Sequence, residues 1–231
     1  MPDEVFSIEL SERRRPGRRL GRHVEHDPRS RAYPAPTAPI SDVRHVRHGS
    51  AFNQGELGSC TGNAMAGALM TEPFYRSGRR LGETEAIALY ELATKLDHVA
   101  GEYPPDDTGS TGLAVAKAAR EDGHISRYTH AFGLHHALGA LTAGPVIAGI
   151  HWYDSFDEPT SNGECPLPVG AKVRGGHEIE LFGIQVQNRR VWCYQSWGAR
   201  WGGLGDGTFW FSWETFERLL GERGDVTAFV A

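Results

Sequence analysis

The chain is poor in cysteine and poorer still in lysine. Its three cysteines, Cys60, Cys165 and Cys193, are an odd number spread over 231 residues. They are too few for a disulfide framework, and at least one thiol has no partner within the chain. Lysine occurs only as Lys95, Lys117 and Lys172, although basic residues total 24. Long apolar runs are missing too. No stretch approaches the ~20 residues of a membrane span, and the opening MPDEVFSIELSERRR lacks the apolar centre of a signal peptide. A soluble, cytoplasmic protein without Sec-type export is the expectation. A net charge of -5 argues against a dedicated nucleic-acid binder. There is no internal repeat, since the two occurrences of GRRLG are too short to make one.

What is present divides unevenly. Residues 13–31, RRRPGRRLGRHVEHDPRSR, concentrate arginine in an arm of about forty residues that ends in AYPAPTAPI. Prolines there disfavour helix and suit an extended segment laid over a body. Such a charged run fits a solvated or lobe-wrapping arm, or a docking segment for an acidic partner. The body, 41–231, is long enough for a sizeable core. Helical patterns occupy 60 to about 75, 83–97 and 111–121, the last closed by Gly123. After Gly144 the runs PVIAGIHW, HEIELFGIQVQ, RRVWCYQSW and GTFWFSW are β-branched and aromatic, and read as antiparallel strands. Helices first and strands second predict an α+β fold with a helical lobe at about 41–142 and a β lobe at about 143–231.

The stretch NQGELGSCTGNA at 53–64 sets an amide six residues ahead of a cysteine. A thiol is a useful nucleophile only as thiolate, which a helix N-terminus beside an imidazolium favours. The predicted helix begins at Cys60. Gln54 and the Cys60 backbone N–H supply two donors for an oxyanion, and Gly55 and Gly58 let the loop between them turn. Taken alone, a cysteine at a helix start is usually a small buried hydrophobe. Further on, GGHEIELFGIQ places His177 at the head of an apolar strand, and YQSWGARWGG follows one hairpin later. There Gln195 can reach His177 and Trp197 can shield that contact.

These segments resemble the papain-like cysteine peptidases of the C1 type. Their Q-x-x-x-G-S-C pattern, their GGHA or GNHA strand and their NSWG-x-x-WG segment match here at Gln54 to Cys60, at His177 and at Gln195 to Gly202. EAIALYELATKLDH, DDTGSTGLAVAKAAREDG and AGPVIAGIHWYDSF are similar to the family's intervening segments, so the likeness spans residues 41–215. It implies a two-lobed fold, with a helical left lobe, an antiparallel β-barrel-like right lobe and a cleft between them. It also implies a nucleophile at Cys60, a general base and acid at His177, an orienter at Gln195, an oxyanion donor at Gln54 and a cover at Trp197. The glycines of TGSTG resemble the stretch whose backbone pairs with an extended peptide, which makes Gly109, Ser110 and Gly112 candidates for binding a peptide or protein substrate. No metal or cofactor is implied.

The departures are specific. Gln195 stands where the family has Asn, Thr61 where an aromatic is common, and Leu57 where secreted members have a half-cystine. The arm is far shorter than a secreted member's pro-region, so control by a large prodomain is not expected, and the arm should pack on the body without being removed. Two other readings stay open: a papain fold used only to bind a peptide or partner, and an acyl transferase or amidase working through the same thioester. HEIEL has Leu181 where a zincin helix needs its second His. His124, His130 and the 135–136 pair have no metal-ligand spacing and read as surface or turn residues. Cys193 reads as a core thiol, and Cys165, in a polar loop, as exposed.

Overall fold

The arm is well packed. In the computed structural model, which describes residues 4–78 and 80–230, β1 (Phe6–Ile8) and β2 (Val24–His26) pair antiparallel. A short 3-10 helix at Pro28–Ala32 follows, capped by the Asp27 side chain. Between the two strands the chain crosses the body, and Leu20 is fully buried in the body's core.

Small side chains dictate the first helix. All ten residues of α1 (Cys60–Leu69), CTGNAMAGAL, are buried, so neighbours approach it from every side. A Cβ on Gly62 would lie 2.0 Å from the carbonyl oxygen of Ala86 in α2 (Glu83–Leu96), so the two helices cross backbone to backbone. α1 ends before the Tyr75 limit of the helical pattern; Pro73 removes a donor and disfavours helix at Glu72. α3 (Gly112–Glu121) starts at Thr111, whose hydroxyl accepts from the Ala114 N–H at 3.1 Å. Met65, Leu69, Leu89 and Val115 weld the three helices into one apolar cluster.

A second cluster lies under the sheet. After the two-residue β3 (Val43–Arg44) come β4 (Arg127–Ala131), β5 (Val146–Tyr153), β6 (Val173–Gln185), β7 (Arg190–Tyr194), β8 (Thr208–Ser212) and β9 (Asp225–Val230). Their order is β4-β9-β5-β6-β7-β8, with β3 added to β6, and every pairing is antiparallel. The sheet does not close into a barrel. Its edges are five-residue strands covered by other segments: Pro34 bridges to His130 on β4, and Glu164 to Trp210 on β8. Two helices absent from the sequence reading, α4 (Leu134–Ala143) and α5 (Trp213–Gly221), pack Leu138, Leu141, Phe216 and Leu219 into this cluster.

Cys193 and Cys165 are both buried here. For Cys165 this corrects the sequence reading. Its N–H donates to the Trp210 carbonyl at 3.0 Å, which draws the polar loop inward beside the edge strand. His130 is likewise buried, in β4, and is not a surface residue. Among the described residues no helix is long and apolar enough to cross a membrane.

The crossing at Gly62 tests the account of α1. Gly62→Ala should lower the free energy of unfolding by about 1–3 kcal/mol, read from the urea midpoint, whereas Gly78→Ala, where a Cβ meets nothing within 4 Å, should cost only the smaller strain of its positive φ.

Candidate active site

The helical layer and the sheet meet where α1 packs on β6, and that contact sets Cys60 beside the residue that follows His177. Cys60 is the first residue of α1 and is fully buried. Its sulfur accepts a hydrogen bond from the backbone N–H of Glu178, the residue after His177 on β6. His177 is fully buried as well, and its Nε2 lies 3.3 Å from Oε1 of Gln195, just past the end of β7. Because an amide oxygen only accepts, this contact requires the proton on Nε2 and leaves Nδ1 unprotonated. Among the described residues no hydrogen-bond partner meets Nδ1.

Aromatic rings wall the imidazole. The Trp197 indole stacks on it at 5.4 Å between centroids and 28° between planes, and Trp152 meets it edge-on at 4.9 Å. The Trp152 N–H donates to buried Asp157 at 2.8 Å, which fixes that ring in turn.

Gln54 is held from both sides. Its backbone N–H donates to the Ser196 carbonyl at 2.9 Å, the Ser196 hydroxyl donates to its Oε1 at 2.5 Å, and its Nε2 donates to Leu57 O at 2.8 Å. Ser196 was not singled out from the sequence. Its position beside Gln195 was the available signal, since one short segment positions both amides.

The arm does more than wrap the body: residues 19–23 run through the cleft. Gly21 N–H and Arg22 N–H both donate to the Gly176 carbonyl, at 3.2 and 3.1 Å, on the sheet side. On the helical side Ser110 N–H donates to Gly21 O and His23 N–H to Ser110 O, each at 2.8 Å. The Leu20 carbonyl lies 3.4 Å from Gln54 Nε2, and the Trp197 N–H donates to the Arg19 carbonyl at 2.9 Å. Ser110 therefore pairs with an extended segment through its backbone. Gly109 must lack a side chain because a Cβ there would lie 2.3 Å from Gly21 O. Gly112 faces the carboxylates of Glu178 and Asp225 instead.

Arginines fasten the arm at both lips of the cleft. Arg19 pairs with Asp107 at 3.0 Å beside the helices, and Arg15 with Asp157 at 3.0 Å and Arg18 with Glu158 at 2.6 Å beside the sheet. The Arg18–Glu158 pair is largely exposed and individually weak, while Arg15 reaches from the surface to the buried Asp157. Asp107 counts for more, because it also accepts from the Gly58 N–H at 2.9 Å and the Tyr90 hydroxyl at 2.8 Å.

Burial under the arm sets the protonation states. Desolvation pushes the Cys60 thiol up to about 12, against the smaller help of the Glu178 N–H. It lowers His177 to about 3, with the Gln195 contact opposing and the Arg174 charge adding to the fall. As placed, the pair is a neutral thiol and a neutral imidazole.

No protein-family model matches the chain, and no curated protein matches it in sequence. Solved structures do. Xylellain, a cysteine protease from Xylella fastidiosa, aligns over 96% of this chain and 99% of its own, with a TM-score of 0.69 at 18% identity. The fold is papain-like. Digestive procathepsin L 3 from the larval midgut of Tenebrio molitor aligns over 86% of this chain and 73% of its own, with a TM-score of 0.62 at 14% identity. The bromelain protease from Ananas comosus, solved with the E64 inhibitor, aligns over 79% and 93%, with a TM-score of 0.56 at 14% identity.

In a papain-like frame the buried imidazole has a measurable signature. Its folded value near 3 lies below its ordinary 6.5, so between those values the unfolded chain binds a proton that the closed chain does not. His177 thus contributes fully above about pH 6.5 and progressively less as pH falls toward 3, with a limiting slope of about 1.4 kcal/mol per pH unit. The buried carboxyls of Glu178 and Glu180, with raised values, act in the opposite sense. The difference between the native chain and His177→Gln isolates the imidazole: the native chain should lose more stability between pH 7 and 4, read from urea midpoints.

Proposed function

We propose that the chain is a cysteine peptidase, a thiol protease hydrolysing peptide bonds, held latent by its own arm. The observation that carries this reading is the arrangement of an extended peptide in the cleft. Its carbonyl points toward Gln54 Nε2, and its backbone is paired to Ser110 on one side and Gly176 on the other. A substrate peptide in place of the arm meets the same partners.

With the arm displaced, water reaches the pair and removes the desolvation that holds both groups neutral. A proton then passes from Cys60 to Nδ1 of His177, and the thiolate at the start of α1 gains from the helix dipole. Sulfur attacks the peptide carbonyl, forming a C–S bond while the carbonyl π pair moves onto oxygen. Gln54 Nε2 and the Cys60 N–H stabilise that oxyanion. His177 gives its proton to the leaving amine as the C–N bond breaks. Water, deprotonated by the same imidazole, then releases the acyl group from sulfur. Gln195 keeps the proton on Nε2 throughout, and Trp197 and Trp152 keep solvent from that contact. Transfer of the acyl group to another nucleophile would use the same first half, and a partner-binding role would use the cleft alone.

Gly21 offers a way to displace the arm within the full chain. Its φ is +149°, and a Cβ there would lie 2.1 Å from the Gly58 carbonyl oxygen. In Gly21→Ala, alkylation of Cys60 by iodoacetamide at about pH 5.5 should rise at least about ten-fold over the native chain. The rise should vanish in Gly21→Ala/His177→Ala, with Cys165 and Cys193 unlabelled in both. Labelling of Cys60 that stays as slow as in the native chain would leave only the binding role.

The orienting contact carries its own test. At 3.3 Å it is long for a hydrogen bond, and Nε2 of Gln195 has no partner. Gln195→Asn in the Gly21→Ala chain should preserve or raise peptide turnover. A collapse with folding intact would show that the local backbone depends on the longer side chain.

A further inference from the structure

Arg22 is an arginine whose side chain is wholly buried, and the slot that receives it belongs to the body. One guanidinium nitrogen pairs with Asp225 at the start of β9 and donates to the Arg223 carbonyl at 2.9 Å. Glu178 forms the facing wall. It is 1% exposed, and among the described residues neither of its carboxylate oxygens has a hydrogen-bond partner. Two glycines make the room. A Cβ at Gly149 would lie 2.5 Å from Arg22 Nε and 2.9 Å from Glu178 Oε2. One at Gly112 would lie 2.8 Å from both Glu178 Oε1 and Asp225 Oδ1.

The slot therefore combines absent side chains with two carboxyl groups. Two carboxyl groups that share such a slot cannot both ionise unless a cation joins them. Among the described residues the charge that lowers the raised value of Glu178 comes from Arg22, a residue of the arm. The location matters equally. Glu178 follows His177, and Arg22 is flanked by the two residues that pair with Ser110. A side chain entering this slot is thus attached to a backbone held in the cleft.

We infer that the slot between Glu178 and Asp225 is the side-chain specificity pocket of the peptidase and that it takes an arginine of the substrate, the place Arg22 fills while the arm is in. This rests on the peptidase reading above. A planar guanidinium spans two carboxyl groups and a carbonyl at once, which an ammonium, a single point of charge, does not.

Two measurements on full chains test it. Arg22→Ala empties the slot: ethylguanidinium should raise its melting temperature more than ethylammonium does at equal concentration, and Arg22→Ala/Asp225→Asn should lose that difference. In the second, the Gly21→Ala chain is assayed against a positional library of peptides. Cleavage should favour arginine at one position by at least about ten-fold, and Glu178→Gln or Asp225→Asn in that background should shrink the preference while peptides with neutral residues there are still cut. Cleavage without an arginine preference, or a preference unmoved in both neutralised variants, overturns the assignment and leaves the peptidase reading standing. Equal response to the two cations overturns it as well. Failure to cut any peptide, in a chain whose Cys60 alkylates rapidly, overturns the peptidase reading and the pocket with it.

Discussion

The centre of the molecule depends on three backbones that lie too close for a side chain between them. The arm passes at Gly21 against Gly58 before α1, and at Arg22 against Gly176 before His177, with less than the width of a Cβ between backbones. A methyl on Gly21 would lie 2.1 Å from Gly58 O, and one on Gly176 would lie 2.1 Å from Arg22 O. This closeness lets one extended segment pair with both halves of the fold. Cys60 and His177 are fully buried beside it. Because these contacts are made through backbone atoms, they do not depend on which side chains the threaded segment carries, and another peptide of similar shape can make most of them.

Electrostatics at the same place follows from geometry. A thiol and an imidazole ionise as a pair only where the environment solvates both charges. Beneath the arm it solvates neither, so burial outweighs the Glu178 amide for one and the Gln195 contact for the other. The arm's own charges are disposed differently. Arg19 and Arg22 are buried against carboxylates, Arg18 holds a surface pair, and the half-exposed Arg15 meets the buried Asp157. The inner pair carries most of the selectivity of the docking, because exposed pairs contribute little and are screened by salt.

Much of this was legible in the sequence, and the parts that were not share a cause. The spacing from Gln54 to Cys60, the His177 strand and the Gln195 to Trp197 segment point to one place because each is a local pattern on a single element. α2 and α3 follow from helical periodicity, and β5 to β8 from β-branched and aromatic runs. What escaped depends on distant partners. α4 and α5 are short helices whose apolar faces make sense only against the sheet. Cys165 is buried by a loop pairing with Trp210. The arm, an extended segment rich in arginine and proline, has no periodicity to show what it lies on. Glu178 and Glu180 were the available clue: two carboxylates at alternate positions of an otherwise apolar strand point to one buried face. Glu180 is answered there by Arg47 at 2.8 Å and by the Thr71 hydroxyl at 2.5 Å.

That difference between the two glutamates separates structure from exchangeable function. Arg47 comes from the body, lies under the rings of Phe52 and Tyr194 at 4.7 Å, and completes Glu180 whether or not the arm is present. Among the described residues Glu178 is answered by Arg22 of the arm, so on the proposed reading opening the cleft removes its cation in the same step that admits water to the thiol. Opening therefore has two linked terms of opposite sign: it relieves the desolvation of the thiol and imidazole, and it takes the guanidinium away from the two carboxyl groups. A peptide that brings its own guanidinium offsets the second and leaves the first to be settled by the solvent it admits. On the proposed reading, the contact that keeps the chain closed is the one a favoured substrate replaces, so latency and selectivity draw on the same two carboxyl groups.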